Sequence, residues 1–221
     1  MHPCFFYFME ILPNSIEAYI LDHINDEPVY LQELNRDTYA KVLYPRMLSG
    51  HLQGRILNML CHMIQPLTVL EIGTFTGYSS ICMAEAMPNN GRIDTIEIND
   101  ELEKFIKDHL SHSGQKSKIN LHIGDALEII PQLDQTYDLV FIDGNKRYYS
   151  DYYNTVFDKL RTGGFIIADN VLWSGKVIEE VDPKDLQTIG ILDFNKRIKN
   201  DPRVEKVIFP VRDGFTLIRK L

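Results

Sequence analysis

The sequence predicts an α/β fold: a doubly wound, mostly parallel sheet of seven strands with an antiparallel last strand, preceded by N-terminal helices. Three observations carry this. From Thr68 onward, short runs rich in Val, Ile and Leu alternate with amphipathic stretches, the signature of strand–helix–strand crossovers. Glycine and proline clusters punctuate these units at the places where helices must stop. The chain then closes with two apolar runs, 204–211 and 215–221, joined only by Arg212-Asp213-Gly214. A link that short makes them antiparallel neighbours.

The elements follow in order. Ile16, Tyr19, Ile20 and Ile24 recur at helical spacing behind Asn14 or Ser15, either of which can cap a helix. A second helical stretch, 38–48, is broken by Pro45, and a third, 52–64, is amphipathic and closed by Pro66. No strand pair follows any of them. Residues 1–66 are therefore expected to form a helical extension or lid, and 67–221 the α/β core of a single domain. Strand 68–73 leads to helix 77–87, ended by Pro88 and Asn89-Asn90-Gly91. Strand 92–98 leads to helix 100–110, and strand 119–123 to a short helix after Gly124. Strand 137–142 leads to helix 148–160, stopped by Thr162-Gly163-Gly164. Strand 165–168, an irregular stretch and helix 185–199 complete the core before the terminal pair.

Composition narrows the function classes. A chain of 221 residues suits one domain, and at that length roughly 70–75% of the unfolded surface is buried. The formal charge of −8 weighs against a nucleic-acid surface as the main partner, with Lys196, Arg197, Lys199 and Arg203 the one local basic cluster. Cys4, Cys61 and Cys82 are few, odd in number and without metal spacing, which fits reduced thiols and a cytoplasmic location. The opening Met1 to Phe8 is apolar but short, with no basic flank and no small-residue cleavage site. It resembles neither a signal peptide nor a membrane span. Met9, just ahead of the helical pattern, is an alternative start.

Open sheets of this kind bind ligands beyond the carboxyl ends of their strands. Those ends carry Glu71, Glu97, Asp125, Asp143 and Asp169. Gly73-Thr74-Phe75-Thr76-Gly77 lacks the Gly-x-Gly-x-x-Gly spacing of a dinucleotide loop, and Glu71 would repel a phosphate. An acid there suits a cofactor with a positive end, an ammonium or a sulfonium. Glu97 is placed to accept ribose hydroxyls, and Asp125 to hold an adenine amino group. A cradle for all three describes S-adenosylmethionine. The plainer alternative makes Glu71 and Asp125 helix caps and the glycines turn formers.

Asp143 and the pair Asp169-Asn170 end the fourth and fifth strands. Two carboxylates and an amide oxygen form a hard, incomplete shell that suits Mg²⁺, Mn²⁺ or Ca²⁺. Turn and cap duty is the alternative for Asp169 and Asn170. Lys146 follows Asp143 on the same loop. A lysine there is ordinarily a solvated surface cation, but beside a dication and a sulfonium its ammonium form is disfavoured, which suits it to act as a base.

In these segments the chain resembles the cation-dependent O-methyltransferases, the group of caffeoyl-CoA and catechol O-methyltransferases with many bacterial relatives. The resemblance runs from Tyr44-Pro-Arg-Met-Leu-Ser49 to Asp213-Gly-Phe-Thr-Leu217. Its most specific pieces are Leu70 to Ser79, Phe141-Ile-Asp-Gly-Asn-Lys146 and Ala168-Asp-Asn-Val-Leu-Trp-Ser-Gly175. It implies a Rossmann-like class I methyltransferase fold and a divalent cation on Asp143, Asp169 and Asn170. It further implies a base at Lys146 and S-adenosylmethionine contacts from Met47, Ser49, Glu71, Gly73, Thr74, Ser79, Glu97, Asp125, Ala126, Asp143 and Tyr152. A homodimer is also implied. Asn145 departs from the family's usual aspartate, and 177–190 falls in a variable insertion. The expected acceptor is a small aromatic diol, walled by Tyr44, Tyr148 and Trp173. Three alternatives stay open: methylation of hydroxyuridine in transfer RNA, a non-catalytic cofactor-binding protein, and, least well fitted, a nicotinamide-dependent reductase.

Overall fold

A computed structural model describes residues 13–221; the leader, with Cys4 and the alternative start at Met9, lies outside the described residues. The seven strands are β1 (Thr68–Ile72), β2 (Arg92–Glu97), β3 (Ile119–Ile123), β4 (Tyr137–Ile142), β5 (Leu160–Ala168), β6 (Val204–Phe209) and β7 (Phe215–Lys220). They lie in the order β3-β2-β1-β4-β5-β7-β6. Pairing is parallel from β3 through β5, while β7 runs antiparallel to both β5 and β6. The predicted mixed sheet is therefore the observed one.

Side chains alternate across each strand and feed two separate cores, so a central strand must be apolar at nearly every position. Leu70, Ile72, Val140, Ile142, Ile166 and Ala168 enter one core, covered by α6 (Ala126–Ile129), α7 (Tyr149–Phe157) and α8 (Leu186–Asn200). Val69, Leu139, Phe141 and Ile167 enter the other, beneath α2 (Val29–Lys41), α3 (Gly50–Ile64), α4 (Tyr78–Ala86) and α5 (Glu103–His112). The helix ahead of these, α1, spans Asn14–Asp22. At Gly54 a side chain would lie 2.7 Å from both Cys82 and Tyr78, so the missing Cβ lets α3 close on α4.

Several expected boundaries shift, each for a local reason. Pro13, not a polar side chain, occupies the N-cap of α1, and the helix stops before Ile24. The helix expected over 38–48 instead runs 29–41. Its start follows Pro28, whose ring presets the backbone, and it buries Leu31, Leu34 and Thr38 on one face. Only a single 3-10 turn, Pro45–Met47, remains of the later half. Helix α7 ends at Phe157 and β5 begins at Leu160, five residues earlier than expected, because a bulge between Tyr137 and Leu139 absorbs the Gly163-Gly164 corner.

Helix α8 matters most for the site. A Cβ at Gly190 would stand 2.4 Å from the Lys146 carbonyl oxygen and 2.7 Å from Arg147 Cα. Backbone cannot yield as a flexible side chain does. Helix propensity favours Ala over Gly by about 1 kcal/mol, but overpacking costs about 1–3 kcal/mol and wins. Gly190→Ala is therefore expected to lower the unfolding free energy in urea titrations by up to about 2 kcal/mol, the difference of those terms. A stabilised variant would contradict this packing.

Candidate active site

Parallel register lines up the strand ends. Ile72 pairs with Ile142, and Ile142 with Ala168, so Gly73, Asp143 and Asp169 emerge side by side at the carboxyl edge. Ile72 also pairs with Ile96, which brings Glu97 into the same row. Between β1 and β4 the strand order reverses, the place where such sheets open a crevice. The cleft found there is lined by Met47, Ser49, Gly73, Thr74, Ser79 and Asp143, all assigned to the cofactor from sequence.

Glycine is required at the cleft floor. Gly73 has φ +101° and would carry a Cβ 2.4 Å from the Asp143 carbonyl oxygen. Thr74 is buried beside it, its hydroxyl 2.6 Å from that of Thr95. Glu97 is buried too, and its carboxylate accepts the backbone N–H groups of Phe75 at 2.7 Å and Asn99 at 2.9 Å. Burial raises its pKa above the usual carboxylate range. Asp125 caps α6, accepting the Leu127 N–H at 2.8 Å, so the capping role weighed as its alternative is realised. Ala126 is packed in the core, and Tyr152 closes over Gly144, which a Cβ would approach within 3.0 Å of the ring. Burial, then the Asp125 charge, pushes the Tyr152 hydroxyl up to about 12.

Glu71 differs from expectation. Its side chain is 0% exposed and does not line the cleft. It accepts hydroxyls from Ser79, Ser80 and Thr95, the last at 2.6 Å. Two residues inside the row of strand ends, it belongs with Val69 and faces the core beneath α4. Its hydrogen bonds reach the cleft lining through Ser79 and, by way of Thr95, through Thr74. Burial pushes its pKa up to about 7 despite three donors, and the Asp143 charge adds to the effect.

Lys146, Asp143 and Asp169 come together as expected. The Lys146 ammonium donates to Asp143 Oδ1 at 2.7 Å and to the Tyr149 hydroxyl at 2.8 Å, and the residue is only 7% exposed. It is not a solvated surface lysine. The Tyr149 hydroxyl in turn lies 3.2 Å from the Ile142 carbonyl and 3.0 Å from that of Asp169, tying the lysine to both strand ends. Asn145 accepts the Arg147 N–H at 3.2 Å and caps the 3-10 turn over Lys146–Tyr148, a role that needs no charge.

Asp169 is buried, and desolvation followed by the charge of Asp143 raises its pKa to about 7. Its Oδ1 accepts the Asn170 N–H at 2.7 Å, and Oδ2 accepts the Gln53 amide at 2.7 Å. Among the described residues no three His, Cys, Asp or Glu side chains gather into a metal-binding group, so a cation here would need the Asn170 amide as its third donor. The donor chemistry fits: two carboxylates, Asp169 with its charge disfavoured by Asp143, and an amide in the left-handed region at φ +56°.

Sequence reasoning missed Gln53, Tyr149, Arg212 and Asp213. Gln53 sits on an otherwise apolar helix face, the one available hint. Tyr149, not Tyr148, packs at the site; Tyr44 and Tyr148 are exposed and Trp173 is half-buried. Arg203 of the basic cluster pairs with Asp201 at 2.6 Å and is not free. Beside the cofactor cleft, sharing Leu48 and Ser49 with it, opens a hollow of about 1100 Å³ whose lining includes Tyr39, Arg46, His51, Ser174 and Arg212.

A parallel sheet ending in a reversed hairpin, with an acidic rim and a glycine turn unsuited to a pyrophosphate, defines the Rossmann-like methyltransferase class. The chain belongs to the O-methyltransferase family, whose profile matches residues 21–221. Caffeoyl-CoA O-methyltransferase 2 of Eucalyptus globulus is 35% identical over 206 residues, covering 88% of this chain and 83% of that protein. The S-adenosylmethionine complex of the O-methyltransferase TomG from Streptomyces achromogenes superposes with a TM-score of 0.86 at 30% identity, covering 94% of this chain and 96% of that one. An O-methyltransferase from Bacillus cereus in complex with SAH gives a TM-score of 0.87 at 26% identity, covering 94% and 97%. No helix among the described residues is long and apolar enough to cross a membrane.

The buried Glu71 sets a sign for pH dependence. With a folded pKa of about 7, above the ordinary 4.5, the native state holds a proton that the unfolded chain releases. Stability from this group is present below about pH 4.5 and is lost as pH rises toward 7. Glu71→Gln is isosteric and uncharged. Its unfolding free energy is expected to fall less steeply than wild type between pH 5 and 7, by up to about 1.4 kcal/mol per pH unit. Identical slopes in urea melts across that range would contradict the assignment.

Proposed function

We propose that the chain transfers the methyl group of S-adenosylmethionine to one hydroxyl of a vicinal diol on a small aromatic acceptor, with a divalent cation bound. The observation that carries this is the register-matched emergence of Asp143 and Asp169, with Asn170 and Lys146, beside the Gly73 cleft. Complexes of TomG and of the Bacillus cereus enzyme support the donor, and the caffeoyl-CoA relatives support a phenolic acceptor.

In this reading the methionine portion of the donor lies along Gly73 and Thr74, with Met47 and Ser49 above it and Ser79 at its end. Glu97 offers its remaining lone pairs to the ribose, and Tyr152 with Ala126 flanks the base. Asp143, Asp169 and Asn170 would hold Mg²⁺, or Mn²⁺ or Ca²⁺ in its place. When bound, the cation would supply Lewis acidity that lowers the acceptor hydroxyl's pKa. Lys146 Nζ accepts the hydroxyl proton as the oxygen–methyl bond forms and the sulfur–methyl bond breaks, leaving S-adenosylhomocysteine. Nζ must be neutral to do this, and Tyr149 orients it. The acceptor enters from the hollow containing Tyr39, Arg46 and Ser174. Positioning and preorganised charge provide most of the acceleration.

The test is methylation of a simple catechol with and without chelator. Thorough metal removal and Asp169→Ala are each expected to abolish turnover, with Mg²⁺ restoring the former. Lys146→Ala is expected to lower kcat about 10²–10⁴-fold. Undiminished turnover after metal removal would overturn the proposal.

A further inference from the structure

The geometry assigns a second role to the turn between β6 and β7. Its Arg212 is a positioning residue that aims one of the three proposed cation donors, Asp169, and clasps the 44–50 segment over the cofactor cleft. The inference rests on the reading of Asp143, Asp169 and Asn170 as cation donors.

Two connections run from Arg212. Arg212 donates to the Gln53 side-chain oxygen at 2.7 Å, and the Gln53 amide nitrogen donates to Asp169 Oδ2 at 2.7 Å. The order is fixed by chemistry, because a guanidinium only donates and a carboxylate only accepts, so the amide has a single satisfying orientation. Gln53 is 2% exposed, and either partner's loss would strand a buried polar group. The neighbouring Asp213 carboxylate accepts the Ser174 N–H. Arg212 thus orients Asp169 at one remove.

Arg212 also donates to the Ser49 carbonyl oxygen. Ser49 and Met47 line the cofactor cleft, so the same guanidinium spans the hairpin turn, helix α3 and the covering segment. Its backbone lies in the left-handed region at φ +50°, an uncommon conformation for a non-glycine residue. A glycine would relieve that strain and forfeit every contact the guanidinium makes. A cation that rigidifies Asp169 therefore also favours the seated position of Ser49, and the donor molecule favours cation binding in return.

Mn²⁺ binding to the full chain, followed calorimetrically without other ligands, tests this. Gln53→Ala and Arg212→Ala are each expected to weaken Mn²⁺ about 10–100-fold. Gln53→Ala with Arg212→Ala should lose little more than either alone, since both cut one chain of contacts. Arg212→Ala should also weaken S-adenosylmethionine, measured without metal. Should Arg212→Ala fail to fold, Arg212→Lys replaces it and is expected to lose part of the Mn²⁺ affinity. Folded variants that bind Mn²⁺ as wild type does, with only a lowered melting temperature, would overturn the assignment and leave the cation reading intact. Wild-type protein that takes up no Mn²⁺ would overturn both.

Discussion

Three carboxylates, Asp143, Asp169 and Asp213, crowd one rim of the sheet, and Lys146 is the side chain whose charge lowers the proton affinity of both Asp169 and Asp213. Taking ions out of water costs several kcal/mol each unless they are paired and hydrogen-bonded. The surrounding fold meets that demand. Tyr149 opens α7 so that its hydroxyl receives the ammonium and reaches two strand-end carbonyls. Gln53 on α3 crosses the sheet edge to donate to Asp169. The hairpin that carries Asp213 completes the enclosure. Remove the crowding and most of these contacts would have no purpose.

Much of this is legible in the sequence, because strand-end residues follow from strands, and strands follow from apolar runs. Register does the rest: parallel neighbours ending together put Gly73, Glu97, Asp143 and Asp169 in one row without further instruction. Periodicity also holds the reason Glu71 departs from its expected place, since two residues back along a strand returns to the same face but a deeper level. Its neighbours Ser79 and Ser80 lie on a helix that covers that level.

Other features are hidden for reasons of chemistry rather than pattern. Helix α2 contains Gln-Glu-Leu-Asn-Arg-Asp, a polar run left unassigned until Leu31, Leu34 and Thr38 are seen to share one buried stripe. Gln53 in a helix and Arg212 in a turn are ordinary surface residues by type. Only the tertiary approach of α3 to the last hairpin makes them a connected pair. Tyr149 cannot be told from its neighbour Tyr148 by type, because two adjacent tyrosines at a helix start differ only in the direction the turn gives them.

Residues 143–146 are pinched from two sides. Gly73 presses its bare Cα toward the Asp143 carbonyl, and Gly190 does the same at the Lys146 carbonyl, each leaving 2.4 Å where any methyl would have to go. A segment held so tightly has little mutational freedom, and its two abutting positions have less. Divergence among descendants of this chain must then accumulate elsewhere, in the stretch around Tyr44 to Gly50 and in the irregular crossing from Val171 to Asp185. New acceptors would be acquired by remodelling those borders, while the chemistry at the centre is inherited unchanged.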